Sequence, residues 1–514
     1  MNAFDNNSNS LKRVTIGSVA CDTVTTHDVS EEFTLPDYIP EVRRVLFTRA
    51  QILPESKYIA DTQGGSSLDF GGTVTYSVIY TDDEGRLCSV PLSSNYESSV
   101  MLKGHPCTVF IDTSPDNVTT RVNAPRKLTV KARLKSRVFG FEDQEVAEII
   151  NQKSSADELF IERQSEDVRT VSVASGSLNN IRMSEKFDTG SRKELRPVLC
   201  DASAYLKEVK ATNGGVSCHG EVTVKCICEC EGELVTLSRA LPLYEEIEVE
   251  GAIVGDMARA SARCISLSIS SEEKDDGCEL FFDICCEIDA EVYRNEENTL
   301  TKDCYSTKND ITIEYKDMEL YSLVRSWSGS YSLNESIKRK NKDGAEIVDA
   351  LVDPVYEKCD IKGERATIIG RLCTTLICKN EKDDGTYEYS SESYEVPIKY
   401  ECELGVKCEN PIVRASLACS CASAKFSDDK LHISADIYPS ACVLDKCTTT
   451  ILGSATLRHD VEFKKDASCV RVFFPKDSDV LWEVAKKYHT TQKKIMEQNA
   501  LNDLSLKGVK SIII

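Results

Sequence analysis

A glycine followed by alternating apolar residues occurs three times, at an interval of about 150 residues, and any fold for this chain must repeat with it. The three copies are Gly72 with Val74, Tyr76, Val78 and Tyr80; Gly220 with Val222, Val224, Cys226 and Cys228; and Gly370 with Leu372, Thr374, Leu376 and Cys378. Alternation at period two predicts a half-buried strand. Each strand runs into an acidic turn closed by glycine: Asp82-Asp83-Glu84-Gly85, Glu231-Gly232 and Asp383-Asp384-Gly385. Such turns supply the positive φ of a hairpin. The returning strand is expected to end near Pro91, Pro242 and Pro397.

Further strand-like runs follow at a similar offset, at Lys127 to Val130, Glu279 to Phe282 and Lys430 to Ile433. A lead-in is shared as well, since Ser30-Glu31-Glu32-Phe33 before Val45-Leu46 matches Ser184-Glu185-Lys186-Phe187 before Val198-Leu199. The third copy follows it loosely, around Leu333 and Ile347. Val29 to Glu41 is read as a strand docking onto its own unit, with partner recognition as the alternative. These signals place three β-rich units at 29–150, 183–295 and 331–445, after a tail over 1–28. A polar, weakly periodic stretch at 151–182 is expected to be a linker, and so are 296–330 and 446–469, although Trp327 suggests that part of the second one packs.

A chain of 514 residues has room for several cores. Hydrophobic residues at 41% and charged residues at 28% are those of a globular protein, and no apolar run approaches a membrane span. The first ten residues lack the apolar stretch of a signal peptide, and the 23 cysteines are odd in number and scattered, so free thiols in a reducing cytoplasm are expected. The net charge of −22 argues against nucleic acid as a partner.

Catalytic signatures are missing. The six histidines form no HExxH, no CxxC pair provides a zinc knuckle, and no GxSxG elbow or phosphate loop occurs. Cys226, Cys228 and Cys230 near His219 could suggest zinc, yet the first two align with apolar residues of the other repeats. They are read, like Cys419 and Cys421, as packing positions. No catalytic residue, metal or cofactor is assigned, and a non-enzymatic binding protein is expected.

From Val470 the period becomes helical. Leu481, Val484, Ala485 and Tyr488 share one helical face with Ser478 or Asp479 placed to cap it. A second helix begins at Thr490-Thr491, carries Ile495 inward and ends by Asn499 and Asn502, and Ser511 to Ile514 reads as a strand. The expected fold of 470–514 is a small βααβ domain whose core holds Leu481, Trp482, Val484, Ala485, Tyr488 and Ile495. This segment carries seven Lys and one Arg against five Asp and Glu, so it is a basic end on an acidic body that favours an anionic partner.

The run Leu481-Trp482-Glu483-Val484-Ala485-Lys486-Lys487-Tyr488, with the Thr-Thr start, Gln498-Asn499 and Gly508 before an Ile run, resembles a LysM domain. The resemblance implies a groove formed by Ser478, Asp479, Val480, Asn499, Ala500, Leu501 and Asn502, which in LysM domains usually binds N-acetylglucosamine polymers such as peptidoglycan. Ser478-Asp479-Val480 stands where the family has Gly-Asp-Thr, which removes a hydroxyl beside the sugar groove. Phe33-Thr34-Leu35-Pro36-Asp37-Tyr38-Ile39-Pro40-Glu41-Val42-Arg43-Arg44-Val45-Leu46 resembles the SPOCS domain of bacterial spore coat morphogenetic proteins. SPOCS-like repeats before a terminal LysM are the arrangement of SipL-type proteins. That resemblance implies a scaffold in the mother-cell cytosol at the forespore surface, self-associating or partner-bound, whose LysM binds the ATPase of the coat's basement layer.

Overall fold

The computed structural model describes residues 11–62, 64–149, 160–188, 195–230, 233–274, 277–340, 345–382, 386–420, 422–463 and 470–514. It is mainly β, with two short helices near the C-terminus. One six-strand pattern occurs three times. Its first copy comprises β1 (Leu11–Thr34), β2 (Arg44–Thr62), β3 (Gly65–Thr81), β4 (Leu87–Leu102), β5 (Thr108–Ala124) and β6 (Lys127–Ile149). The second comprises β7 (Ile161–Asp188), β8 (Arg196–Thr212), β9 (Gly215–Cys230), β10 (Glu233–Glu248), β11 (Met257–Lys274) and β12 (Gly277–Ser306).

In the third copy the first and fifth strands are each split in two. It runs β13 (Asn309–Ser328), β14 (Tyr331–Lys338), β15 (Glu346–Lys362), β16 (Arg365–Glu381), β17 (Tyr387–Glu403), β18 (Pro411–Cys419), β19 (Ser423–Ser427) and β20 (Lys430–Glu462). Every copy forms two antiparallel sheets. The middle three strands make a meander, in orders β2-β3-β4, β8-β9-β10 and β15-β16-β17. The first and fifth strands flank the last, as in β1-β6-β5, β7-β12-β11 and the β20-centred sheet.

The predicted alternation appears in the central meander strands. Val74, Tyr76, Val78 and Tyr80 of β3 are buried against Leu128, Val130, Ala132 and Leu134 of β6, forming the core of the first unit. Val222, Val224, Cys226 and Cys228 do the same in the second, and Leu372, Leu376 and Cys378 in the third. The marker glycine has a steric cause: β2, β8 and β15 bulge opposite it. A Cβ at Gly72, Gly220 or Gly370 would collide with the carbonyl oxygen of Leu53, Tyr205 or Val355.

Several expectations are corrected. Leu11 already begins β1, so the stretch expected as a tail over 1–28 is strand from there on. The expected linkers are also largely strand where described: β7 enters at Ile161, β12 runs on to Ser306 and is followed by β13, and β20 reaches Glu462. The start of β7 reads as a linker because it buries no side chain fully and is held by ladder hydrogen bonds to β12, whereas β12, β13 and β20 bury Leu300, Met318, Leu320 and Ile451 in contacts that need other units of the chain. The six-strand pattern therefore spans 11–149, 161–306 and 309–462.

The returning strands pass through Pro91, Pro242 and Pro397 instead of ending there. They are the edge strands of their meanders, where a missing N–H breaks no ladder. The first acidic turn is as expected, with Gly85 at φ 80° and its N–H donating to the Asp82 carbonyl at 3.0 Å. Glu231-Gly232 and Asp383-Asp384-Gly385 lie outside the described residues. Leu35 and Val42 are buried in the first unit's core, so the segment after Val29 docks onto its own unit.

The three meanders stand edge to edge in a ring, β4 beside β8, β10 beside β15 and β17 beside β2. Each junction uses the same contact. Ser89, Thr236 and Ser391, at matching registers opposite Ile79, Ile227 and Ile377, donate their hydroxyls to the carbonyls of Val198, Val348 and Leu46. Those acceptors are the residues skipped by a bulge in β8, β15 and β2.

Inside the ring, Ile79, Ile227 and Ile377 meet in one shared core with Leu87, Val198, Leu199, Leu351 and Tyr389. A second shared core joins Phe139 and Phe141 to Tyr293, Tyr321 and Leu444. A third joins Ile16, Leu300, Met318 and Ile451.

Ion pairs between units lie beside these layers. Arg49 contacts Asp201 at 2.5 Å and Asp353 at 2.7 Å, and the Lys225 ammonium meets the buried Asp349 carboxyl. Deeper in the structure, Glu291 accepts from Arg259 at 3.1 Å and pairs with Arg414, all three being at most 5% exposed. Removing one member of such a buried group costs roughly 3–5 kcal/mol because the others lose their compensation.

The shared core sets an expectation. Ile377→Ala should cost roughly 2–5 kcal/mol, and amide exchange should accelerate in β3 and β9 as well as in β16. Acceleration confined to β16 would show that the units do not share this core.

Candidate functional site

The segment after Val470 folds as β21 (Val472–Phe473), α1 (Leu481–Lys487), α2 (Gln492–Asn499) and β22 (Ile512–Ile513), with β21 antiparallel to β22. Leu481, Trp482, Val484 and Ala485 of α1 pack with Ile495 of α2, Leu506 and Ile512. Tyr488 is half-buried against this core. Seven and eight residues are too few for helices that stand alone, so this packing holds them.

Capping differs from expectation at α1. Its N-cap is Val480, with no side-chain cap. Asp479 instead closes the preceding turn, accepting from the Lys476 N–H at 2.8 Å while its own N–H donates to the Lys476 carbonyl at 2.9 Å. Ser478 is exposed. The second helix is capped as its sequence suggests, with Thr491 Oγ1 accepting from the Lys494 N–H at 3.1 Å.

The expected groove residues divide into three groups. Val480 forms a lone β-bridge with Ser505, which joins the loop before α1 to the loop after α2. Asn499 is a clamp: its amide donates to the Ile495 and Ile513 carbonyls at 2.8 and 2.7 Å and accepts from the Ile513 N–H at 2.6 Å, fastening β22 to α2. Ala500 takes the left-handed cap of α2 at φ 52°. Ala500, Leu501 and Asn502 line a depression of about 570 Å³ together with Gln492, Met496 and Glu162 of β7. Ser478, Asp479 and Val480 do not line it.

Trp482, expected as core within the helix pair, is also the anchor to the β body. Its ring lies edge-on to Tyr305 of β12 at 4.9 Å, and its Nε1 donates to Asp303 Oδ2 at 2.8 Å. Asp303 further accepts from the Lys486 ammonium at 2.7 and 2.8 Å and from the Tyr315 hydroxyl at 2.9 Å. The Tyr305 hydroxyl donates to the Thr490 carbonyl at 2.8 Å, and His489 stacks on Phe463 at 3.5 Å.

Burial alone would raise the Asp303 carboxyl, but hydrogen bonds from Lys486, Trp482 and Tyr315 outweigh it and hold the group below its ordinary range. Burial likewise opposes the charge on Lys486, and the bond to Asp303 overcomes it. Sequence reasoning missed Asp303, Tyr305 and Phe463, all of which fell in stretches read as linkers. The one available signal was that Trp482 and Lys486 lie four residues apart on one helical face.

Several apolar side chains of this segment face solvent. Val472 and Ile513 are cross-strand partners, 51% and 45% exposed, and Phe474, Val480 and Leu504 are 72%, 55% and 56% exposed. Lys476, Lys507, Lys510 and Arg471 are exposed on the same segment. Among the described residues no three His, Cys, Asp or Glu are grouped to hold a metal ion, and no helix is long and apolar enough to cross a membrane.

Asp303→Asn removes a charge that three donors face, so it should loosen the anchor by about 1.5–3 kcal/mol. In a Trp327→Phe background, Trp482 fluorescence should shift to the red. A depressed carboxyl contributes fully above its ordinary value near 3.8 and loses that contribution as the pH falls further. The same shift should therefore appear in the Trp327→Phe protein on acidification below about pH 4, and an unchanged spectrum in both cases would contradict the anchor. No protein-family model, curated protein or solved structure matches the chain.

Proposed function

We propose that the chain is a non-enzymatic scaffold whose C-terminal module, a LysM-type βααβ domain, captures a protein partner while three SPOCS-like β units form its rigid support. The observation that carries this reading is the exposure of five apolar side chains, Val472, Phe474, Val480, Leu504 and Ile513, on a basic module that Asp303 fixes to the acidic body. Exposed apolar side chains suit protein recognition. The lysines of the same module suit a partner with surface carboxylates.

A glycan groove is less well supported at the residues expected to form it. Val480 brings an apolar side chain and no hydroxyl, Asp479 is engaged in its own turn, and Asn499 spends its amide on β22. The resemblance to SipL-type proteins adds a place for the proposal: assembly of the spore coat, with the basement-layer ATPase as partner at the forespore surface in the mother-cell cytosol.

Capture of that ATPase by the immobilised full chain tests the proposal. Val480→Asp and Leu504→Asp alter exposed side chains and should leave folding intact, and each should weaken capture at least tenfold. Unchanged capture by both variants would exclude this surface. Co-sedimentation of the wild-type chain with purified peptidoglycan, lost in the same variants, would replace the protein partner with a glycan.

A further inference from the structure

The second unit pairs cysteines across adjacent strands, a feature that the registers of the other two do not show among the described residues. Its core is rich in cysteine, with Cys218, Cys226, Cys228, Cys278 and Cys286 buried and Cys200, Cys230 and Cys264 packed against them. Four of these are direct cross-strand partners. Cys200 of β8 faces Cys226 of β9 with the sulfurs 2.7 Å apart, and Cys264 of β11 faces Cys286 of β12 at 3.5 Å.

Packing alone does not demand the first pair. At the matching registers Thr48 faces Val78 in the first unit and Ala350 faces Leu376 in the third. Opposed residues on adjacent strands lie within the Cα separation a disulfide needs.

We propose that Cys200 and Cys226 are an oxidisable dithiol that a small hydroperoxide converts to a cross-strand disulfide. Cys200 is half-buried and Cys226 fully buried, so Cys200 is the sulfur an oxidant meets first. Pairing with Cys200 lifts the Cys226 thiol well above its ordinary range, and Cys226 therefore keeps its proton for the second step.

The Cys200 thiolate attacks one oxygen of the peroxide and breaks the O–O bond. The departing hydroxide takes up the proton lost by Cys200 and leaves as water, and Cys200 becomes a sulfenic acid. The Cys226 sulfur then attacks the Cys200 sulfur, forming the S–S bond. The sulfenic oxygen leaves as a second water with the proton of Cys226. One hydrogen peroxide is reduced and two thiols are oxidised.

The consequence is mechanical. Asp201 and Lys225, the next residues along the two strands, are themselves register partners. Asp201 reaches Arg49 of the first unit and Lys225 reaches Asp349 of the third. A covalent link beside them fixes the strand pair that ties the second unit to both neighbours and restricts the unfolded chain.

The full chain treated with stoichiometric hydrogen peroxide, unfolded in an alkylating agent and mapped by mass spectrometry should yield one linked peptide pair joining Cys200 to Cys226. The oxidised protein should unfold at a higher temperature, and a reducing agent should reverse the rise. Cys200→Thr copies the residue of the first unit and should abolish both effects, whereas Cys264→Ser should leave the link in place. Recovery of Cys200 and Cys226 as separate alkylated thiols overturns the proposal, as does Cys226 linked to Cys228, whose sulfur lies 3.4 Å away.

Discussion

Three hydroxyls and three bulged carbonyls close the ring of meanders. A bulge turns a carbonyl out of its own ladder, and at Leu46, Val198 and Val348 that carbonyl accepts a hydroxyl from the neighbouring unit. Every unit therefore donates once and accepts once, and the last one returns to the first. Each hydrogen bond contributes only about 0.5–1.5 kcal/mol. Their effect is geometric, since they set the edges of the meanders at the one spacing that lets Ile79, Ile227 and Ile377 meet.

The layers along this axis are apolar where the units match and charged where they differ. Phe47 and Leu199 face Ile79 and Ile227, but Asp349 faces Ile377 and is neutralised by Lys225 of the second unit. A comparable substitution occurs in the deeper layer, where the register holding Phe110 and Phe139 in the first unit holds Arg259 and Glu291 in the second, and Arg414 and Cys442 in the third. Ion pairs of this kind give little net stability. They do distinguish otherwise similar units, because Lys225 placed against another copy would lose its carboxylate.

The repeat was legible because half-buried strands write their alternation directly into the sequence, as at Val74 to Tyr80. The ends of the units were not. The β7 stretch from Ile161 to Arg169 buries no side chain fully, and it is held by the backbone of β12, which leaves no trace in residue type. The shared core was hidden for a different reason. Ile79, Ile227 and Ile377 sit on the face opposite to the predicted alternation, and a single apolar residue there is ordinary on any strand. In the C-terminal module the helical faces were legible, while the anchor at Asp303 depended on a contact between residues 179 positions apart.

This architecture gives the C-terminal module a stiff base, and the base is only as stiff as the ring is closed. Cutting the chain between β6 and β7 tests closure most directly, because the cut leaves both sheets of the first unit intact and severs only its covalent link to the rest. Residues 1–159 and 160–514, co-expressed and studied by sedimentation velocity, should form a stable one-to-one complex. Each alone should aggregate, through the exposed surfaces of Ile79, Phe139 and Phe141 on one side and Ile227, Tyr293 and Ile377 on the other. Two folded, monodisperse fragments that ignore each other would contradict the shared core.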